Sequence, residues 1–237
     1  MLIPYFEHAF SAWHVVGGLY SIIEKLRELG EKHGVRFFTG SRVVRIGTAS
    51  RRVESVELAD GSVWPCSAAV MNGDASMLPG LLGESGAGPL PEKDRSLSGF
   101  VLLFGLRKKL PEAAHHTVCF SADYEDEFED LFSRRRFPED PTVYVCISSR
   151  DDPGLAPAGG ETLFVMANAP ANDGDLWDAG MIQSARGRVM ARLAKSGFPA
   201  FEEDVAVQSV VTPRQMADRY LMPGGAIDGT HSHGWRK

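Results

Sequence analysis

The chain lacks a phosphate-gripping glycine loop. Nowhere in its 237 residues do glycines fall as G-x-G-x-x-G, the spacing that lets backbone approach a pyrophosphate at a helix N-terminus. Cysteine is scarce: Cys66, Cys119 and Cys146 are odd in number, far apart and form no C-x-x-C. That argues against a disulfide framework or a zinc ribbon and fits a reducing compartment. No apolar run approaches the roughly 20 residues that cross a bilayer; the longest, FVLLFGL at Phe100–Leu106, is the size of a strand. The opening MLIPYFEHAFSAWHVV has no basic segment and no unbroken apolar core, so no signal peptide is expected. Positive charge is also short, with 25 Lys and Arg against 31 Asp and Glu and a pI of about 5.7. Such a balance counts against nucleic acid as a partner. There is no H-E-x-x-H and no G-x-S-x-G, and no cysteine sits in an activating setting.

What is present is a globular composition, 43% hydrophobic and 24% charged, enough for one large domain or two small ones. Leu19, Ile22, Ile23, Leu26 and Leu29 recur at helical spacing, which predicts a helix over 19–33 stopped by Gly34. Short strands are expected at Val35–Phe38, Arg42–Ile46 and Ala68–Met71. Another pair, Arg52–Leu58 and Ser62–Trp64, flanks Asp60-Gly61 as a hairpin. Gly80–Pro91 (GLLGESGAGPLP) reads as a loop or boundary. Beyond it, Ser98–Leu106, Thr117–Phe120, Thr142–Ser148 and Thr162–Asn168 are apolar and β-branched enough to be strands of one sheet. Helices are expected over Asp123–Ser133 and Asp175–Lys195, the latter with Ile182, Ala185, Val189 and Leu193 inward. A strand at Val205–Val211, a short helix at Thr212–Tyr220 and a Gly-rich tail close the chain. The fold class is α/β (α+β).

Several motifs have plain readings. Gly17-Gly18 is a turn that lets a helix begin. Asn72 and Asp74 are caps for the helix after them. In the acidic run DYEDEFED, Glu125, Asp126, Glu129 and Asp130 fall on the solvent side, while Tyr124, Phe128, Leu131 and Phe132 form an apolar face. That face serves core packing or contact with a long substrate or lipid. His115-His116, His231-x-His233 and His33 fall in no recognisable ligand spacing with a cysteine partner and read as surface or loop histidines, so no metal site is assigned.

The run from His115 to Asp152, HHTVCFSADYEDEFEDLFSRRRFPEDPTVYVCISSRDD, followed by ETLFVMANAPA, resembles the substrate-domain region of the phytoene desaturase family. These are FAD-dependent carotenoid desaturases, and the likeness is nearest those that act on hydroxylated carotenoids. GVRFFTGSRVVRI (Gly34–Ile46) resembles the family's unit in which the first Val of the second strand offers its main chain to the FAD adenine, here Val43. Related flavoenzymes carry a Gly-Gly where Gly17-Gly18 stands. AAVMNGDAS (Ala68–Ser76) resembles an apolar strand with an Asn-Ala-Asp turn, Gly73 replacing Ala. Thr212, Pro213, Tyr220, Gly225, Ala226, Ile227 and Gly229 match the T-P…Y…G-A-I-Y-G segment before the last flavin stretch, with Asp228 where an aromatic residue is usual.

The resemblance implies an internal piece of an amine-oxidase-like flavoenzyme. Residues 1–90 would be a partial FAD-domain βα unit with the return from the substrate domain. Residues 91–237 would be a substrate domain with a mixed sheet and helices, stopping before the closing flavin segment. The implied chemistry is desaturation of a hydrophobic polyene with hydride transfer to FAD, and no catalytic residue is named. A cytoplasmic protein peripheral to a membrane fits, dependent on a separate flavin-domain chain or on homo-oligomers to cover open sheet edges. Two other readings stay open: another amine-oxidase-superfamily oxidoreductase, or a non-catalytic module for a hydrophobic ligand.

Overall fold

The computed structural model describes residues 2–11, 13–84, 88–172 and 176–229. Its first part holds α1 (Leu2–Phe10), α2 (Tyr20–Lys32) and an antiparallel sheet of β1 (Val43–Ala49), β2 (Arg52–Leu58) and β3 (Val63–Pro65). A short α3 (Leu78–Leu81) comes next. The helix over 19–33 is thus found almost to the residue. It is stapled along its wet faces by Lys25–Glu28 at 2.8 Å and Arg27–Glu31 at 3.0 Å. Gly34 ends it at φ +82°, where Val35 N–H reaches back to the Gly30 carbonyl at 3.0 Å. The β2–β3 hairpin closes as expected: the Asp60 carboxylate accepts from Ser62 N–H at 2.9 Å and its hydroxyl at 2.7 Å, with Gly61 at φ +84°.

Two expected strands are absent. Val35–Phe38 and Ala68–Met71 are irregular, and Val70 is 96% exposed. Both have strand-like residues, but strand structure is a property of a pair, and among the described residues no neighbour pairs with either. Sequence reading also missed α1, whose Tyr5, Phe6 and Phe10 rings form a mutual cluster.

The second part is a five-stranded sheet in the order β5–β6–β7–β4–β8, built from β4 (Ser98–Leu106), β5 (His116–Cys119), β6 (Val143–Cys146), β7 (Glu161–Ala169) and β8 (Val205–Val211). Every pairing is antiparallel, which corrects the mixed sheet expected from resemblance; the α/β (α+β) class stands. Between β5 and β6 lies α4 (Tyr124–Phe128), capped by the Asp123 carboxylate on Asp126 N–H and continued by a π-turn over Glu129–Ser133. Helix α5 (Ala179–Lys195) starts at Asp178, whose carboxylate accepts from Met181 N–H at 2.7 Å. The expected start at Asp175 lies outside the described residues. Gly197 stops the helix at φ +73°. Helix α6 (Pro213–Tyr220) carries a full capping box between Thr212 and Gln215.

The core lies between one face of this sheet and α5. Alternate residues Phe100, Leu102, Phe104 and Leu106 of β4, Leu163, Val165 and Ala167 of β7, and Val143 and Val145 of β6 meet Ala185, Val189 and Leu193. All of these are at most 3% exposed. Trp177 stacks on Phe100 at 5.2 Å between ring centres.

Candidate functional site at the open face of the sheet

Because strand side chains alternate, the residues between those core positions face the other way. The ladder aligns them in rows across the sheet. One row runs Val118, Tyr144, Met166, Val101, Val211 and the next His116, Cys146, Phe164, Leu103, Ser209. Leu103, Phe164, Val118 and Val207 on this face are 36–66% exposed. The sheet is therefore apolar on both faces: one is buried throughout, the other only towards the Gly99 end, where Val101 is 4% exposed. A groove of about 340 Å³ runs along Leu103, Gly105, Thr162, Phe164 and Val207. Burial raises the Tyr144 phenol to about 12, with its Cys146 neighbour adding to the shift, so this part of the face stays uncharged at neutral pH. Five strands at about 4.8 Å spacing make the face roughly 19 Å wide.

At the Gly99 end the face is closed by the segment after α6. Ile227 N–H binds the Leu97 carbonyl at 3.0 Å, Asp228 N–H the Ser96 hydroxyl at 2.9 Å, and Ser96 N–H the Gly229 carbonyl at 2.8 Å. Glycine is required here. Gly225 has φ +77°, and a Cβ would lie 2.9 Å from the Cα of Pro213. This segment and the turn at Asn72–Ser76 form the two walls of a cleft of about 490 Å³, whose lining includes Tyr220, Met222, Ile227 and Asp228. Gly229 touches Asp74, whose Oδ2 is 3.6 Å from where its Cβ would be. Two motifs about 150 positions apart are thus brought to one place. Asp74 is also a cap: its carboxylate accepts from Ser76 N–H at 2.9 Å and from its hydroxyl at 2.6 Å.

Val43 lies in β1, 37% exposed. The Arg42 carbonyl points to the β2 side, accepting from Ala59 N–H at 2.8 Å. Strand alternation then turns the N–H and C=O of Val43 to the opposite edge, which no strand among the described residues occupies. Gly17 and Gly18 form a turn before α2 at φ +83° and +85°, with Gly18 N–H on the Val15 carbonyl at 2.9 Å.

The acidic run does not behave as a wholly solvated face. Asp130 is 1% exposed and Glu127 3%. Burial disfavours the Asp130 carboxylate, but hydrogen bonds from Arg136 and Arg134, at 2.8 and 2.6 Å, outweigh it and hold its pKa below normal. Glu127 accepts from Thr142 N–H at 2.8 Å and its hydroxyl at 2.6 Å. Both are pins for the long β5–β6 connection, so the run offers no acid–base pair. Glu125, Asp126 and Glu129 are exposed as expected.

The histidines divide. His33 is exposed and His231-x-His233 lies outside the described residues. His115-His116, however, acquires a cysteine that sequence distance hid: His116 pairs with Cys146 across the β5–β6 ladder. Period-2 alternation in HHTVC and TVYVC supplies the faces, but a connection of this length leaves register free, so the pairing was illegible without the fold.

No protein-family model matches the chain. It is 36% identical over 95% of its length to a zeta-carotene-forming phytoene desaturase of Myxococcus xanthus, and 32% over 94% to a hydroxyneurosporene desaturase of Rubrivivax gelatinosus. It is 29% identical over 96% to a 4,4'-diapolycopene oxygenase of Methylomonas. It covers 44%, 43% and 47% of those proteins. Among solved structures, an oxidoreductase from Methanosarcina mazei superposes with a TM-score of 0.58 over 88% of this chain and 46% of that one, at 18% identity, which speaks to the fold alone. The chain spans under half the length of the curated relatives it matches, and over nearly all of its own length it is homologous to carotenoid desaturases, those of phytoene and of hydroxylated carotenoids included.

Proposed function

We propose that the chain forms the substrate-holding part of an FAD-dependent carotenoid desaturase acting on a phytoene-like polyene. One observation carries the reading: an uncharged, apolar sheet face left open at one end runs into a glycine-built cleft at the other. A polyene has no hydrogen-bonding groups along its length, so its recognition rests on apolar area and shape. Leu103, Phe164 and Val207 are ready to cover such a chain and exclude water from it. FAD, when bound, supplies the hydride acceptor for a reaction in which a hydride and a proton leave adjacent carbons. The residues fit such a group in two places. Val43 turns its main chain to an open strand edge, suited to an adenine, and Gly225 and Gly229 let backbone approach the cleft closely. No side chain among the described residues stands out as the general base, and none is assigned.

In this reading residues 1–90 belong with the flavin-binding part and 91–237 with the substrate-holding part. The exposed stripe of α2 and the open edge of β1 are where a flavin-domain unit seats. No helix among the described residues is long and apolar enough to cross a membrane; a water-insoluble substrate nevertheless calls for work at a membrane surface, and we assign the chain to the cytoplasmic side. Relatives named as desaturases outweigh the oxygenase among those compared, which favours dehydrogenation.

The test is flavin retention. The purified chain is incubated with FAD, with and without a supplied domain carrying G-x-G-x-x-G, desalted, and its visible flavin absorbance measured. Flavin kept only with the added domain supports the proposal. Folded protein that keeps none in either case overturns it in favour of a non-catalytic module for hydrophobic ligands. Reconstituted protein that oxidises amines but not polyenes points to another member of the amine-oxidase superfamily.

A further inference from the structure

We propose that His115, His116 and Cys146 form a binding site for a zinc-class divalent cation at the outer edge of the open sheet face. One donor atom from each of the three lies within 4.8 Å of the others. Consecutive strand residues normally point to opposite faces, but His115 precedes the first paired residue of β5, and its ring lies beside that of His116, 4.3 Å between centres. Cys146 is held opposite His116 by the ladder, so the donors come from two strands that fix one another.

The surroundings are those of ligating imidazoles. Metal-bound histidines hand their second ring nitrogen to a carboxylate or another polar group, which fixes tautomer and orientation. Here His115 Nδ1 pairs with the Asp151 carboxylate, and His116 Nδ1 is 2.8 Å from the Tyr144 hydroxyl. Both contacts engage Nδ1, and in the proposed site Nε2 of each ring is the nitrogen assigned to the cation. Cys146 is half-buried and reduced, with its sulfur 3.4 Å from the Ser148 hydroxyl. Bonds of about 2.0–2.3 Å in a tetrahedral site hold donors roughly 3.5 Å apart, so side-chain rotation at this exposed edge closes the set. Two imidazoles and a thiolate select zinc or copper over magnesium or calcium, which prefer oxygen. Three protein donors leave a fourth position for water or another ligand. Binding converts the Cys146 thiol to a metal-bound thiolate, its proton passing to solvent.

The experiment is a titration of the reduced, purified chain with Co²⁺ alone, followed by absorbance, then displacement with Zn²⁺. Saturation near one equivalent, with a thiolate-to-cobalt charge-transfer band and ligand-field bands that zinc abolishes, is the expected result. Cys146→Ser removes the charge-transfer band and Cys66→Ser leaves it. Asp151→Asn weakens cobalt binding about tenfold through the orienting contact, and His116→Ala by at least as much. Absence of a charge-transfer band, or its survival in Cys146→Ser, overturns the site. Circular dichroism checks each variant; should Cys146→Ser not fold, unchanged cobalt affinity in both His116→Ala and Asp151→Asn overturns it instead.

Discussion

Helices α2 and α5 are alike in sequence and opposite in fate. Both carry aliphatic residues at helical spacing with charges between. In α5, Ala185, Val189 and Leu193 are at most 2% exposed, seated on the five-stranded sheet. In α2, no residue is buried, and Ile22, Ile23, Leu26 and Leu29 are 44–58% exposed. The contrast extends to whole regions. Before residue 85 the buried hydrophobics among the described residues are Ile46 and Leu58; the rest of the core lies beyond residue 99. Periodicity therefore establishes that a segment becomes a helix with an apolar side, and says nothing of whether this chain supplies what covers that side. A helix of α2's length gains most of its stability from packing, and in the proposed reading its exposed stripe is where a flavin-domain unit seats.

The sharpest way to break the contrast is to remove matched side chains from each region. Phe100 is fully buried, with Phe137 edge-on at 5.5 Å and Trp177 stacked at 5.2 Å. Phe100→Ala should cost about 3–5 kcal/mol in urea unfolding. Leu29→Ala in α2 should cost under about 0.5 kcal/mol. Similar losses from both would mean that α2 is covered in solution by another copy of the chain.

Next in size is the ion pair that ties α5 to the β5–β6 connection. Asp140 accepts from Arg192 Nε at 2.9 Å and from Ala122 N–H at 2.9 Å. The Arg192 hydrogen bond, against some burial, depresses the Asp140 pKa in the folded chain. A depressed carboxylate stabilises the fold above its unfolded value of about 3.9 and loses that stabilisation as pH falls through the folded pKa. Arg192→Gln should cost about 2 kcal/mol at pH 7, leaving the carboxylate without its guanidinium. The difference from the parent should begin to shrink below about pH 4, where the unfolded chain takes up the proton, and should vanish only as pH falls through the depressed folded pKa of Asp140. Thermal unfolding from pH 3 to 7 checks this, and a gap independent of pH would assign the effect to lost packing of the Arg192 stem.

Capping repeats the comparison on a smaller scale. Asp178 and Thr212 bond to the first turns of α5 and α6, whereas Leu19 at the head of α2 makes no side-chain cap. Thr212→Ala should cost about 1 kcal/mol. Because α6 leads into the Met222–Gly229 wall of the cleft, faster amide exchange should appear there and not in α2, whose start depends on no such bond.

Legibility followed the same division. Strands β4 to β8, helices α5 and α6 and the Asp60-Gly61 turn could be read because local chemistry and burial agree there: FVLLFGL, the Ile182–Leu193 stripe and the Thr212-Pro213 cap each point one way. Val35–Phe38 and Ala68–Met71 were misread because their strand-favouring side chains find no pairing neighbour among the described residues. Asp130 was misread because helical spacing placed it outward, while Arg134 and Arg136, arriving after a π-turn, fold over it. The walls of the cleft were legible as two motifs but not as neighbours, and the Cys146 partner of His116 was not legible at all. Local sequence carries no register for strands joined by a long connection.

The smallest effect on stability should come with a large effect on association. Leu26 sits mid-stripe on α2, 58% exposed. Leu26→Glu adds a charge to a surface already in water, next to Lys25 and Arg27, so the unfolding free energy should shift by no more than about 0.5 kcal/mol. If that stripe receives a flavin-domain unit, the same carboxylate is driven into an apolar interface, where an unpaired charge costs several kcal/mol. Sedimentation of the chain with the supplied dinucleotide-binding domain should then show a complex for the parent and for Glu24→Gln on the wet side of α2, and none for Leu26→Glu. A complex that survives Leu26→Glu would separate the two properties joined here. The stripe would be exposed for some other partner, and the flavin-domain contact would have to be sought along the open edge of β1.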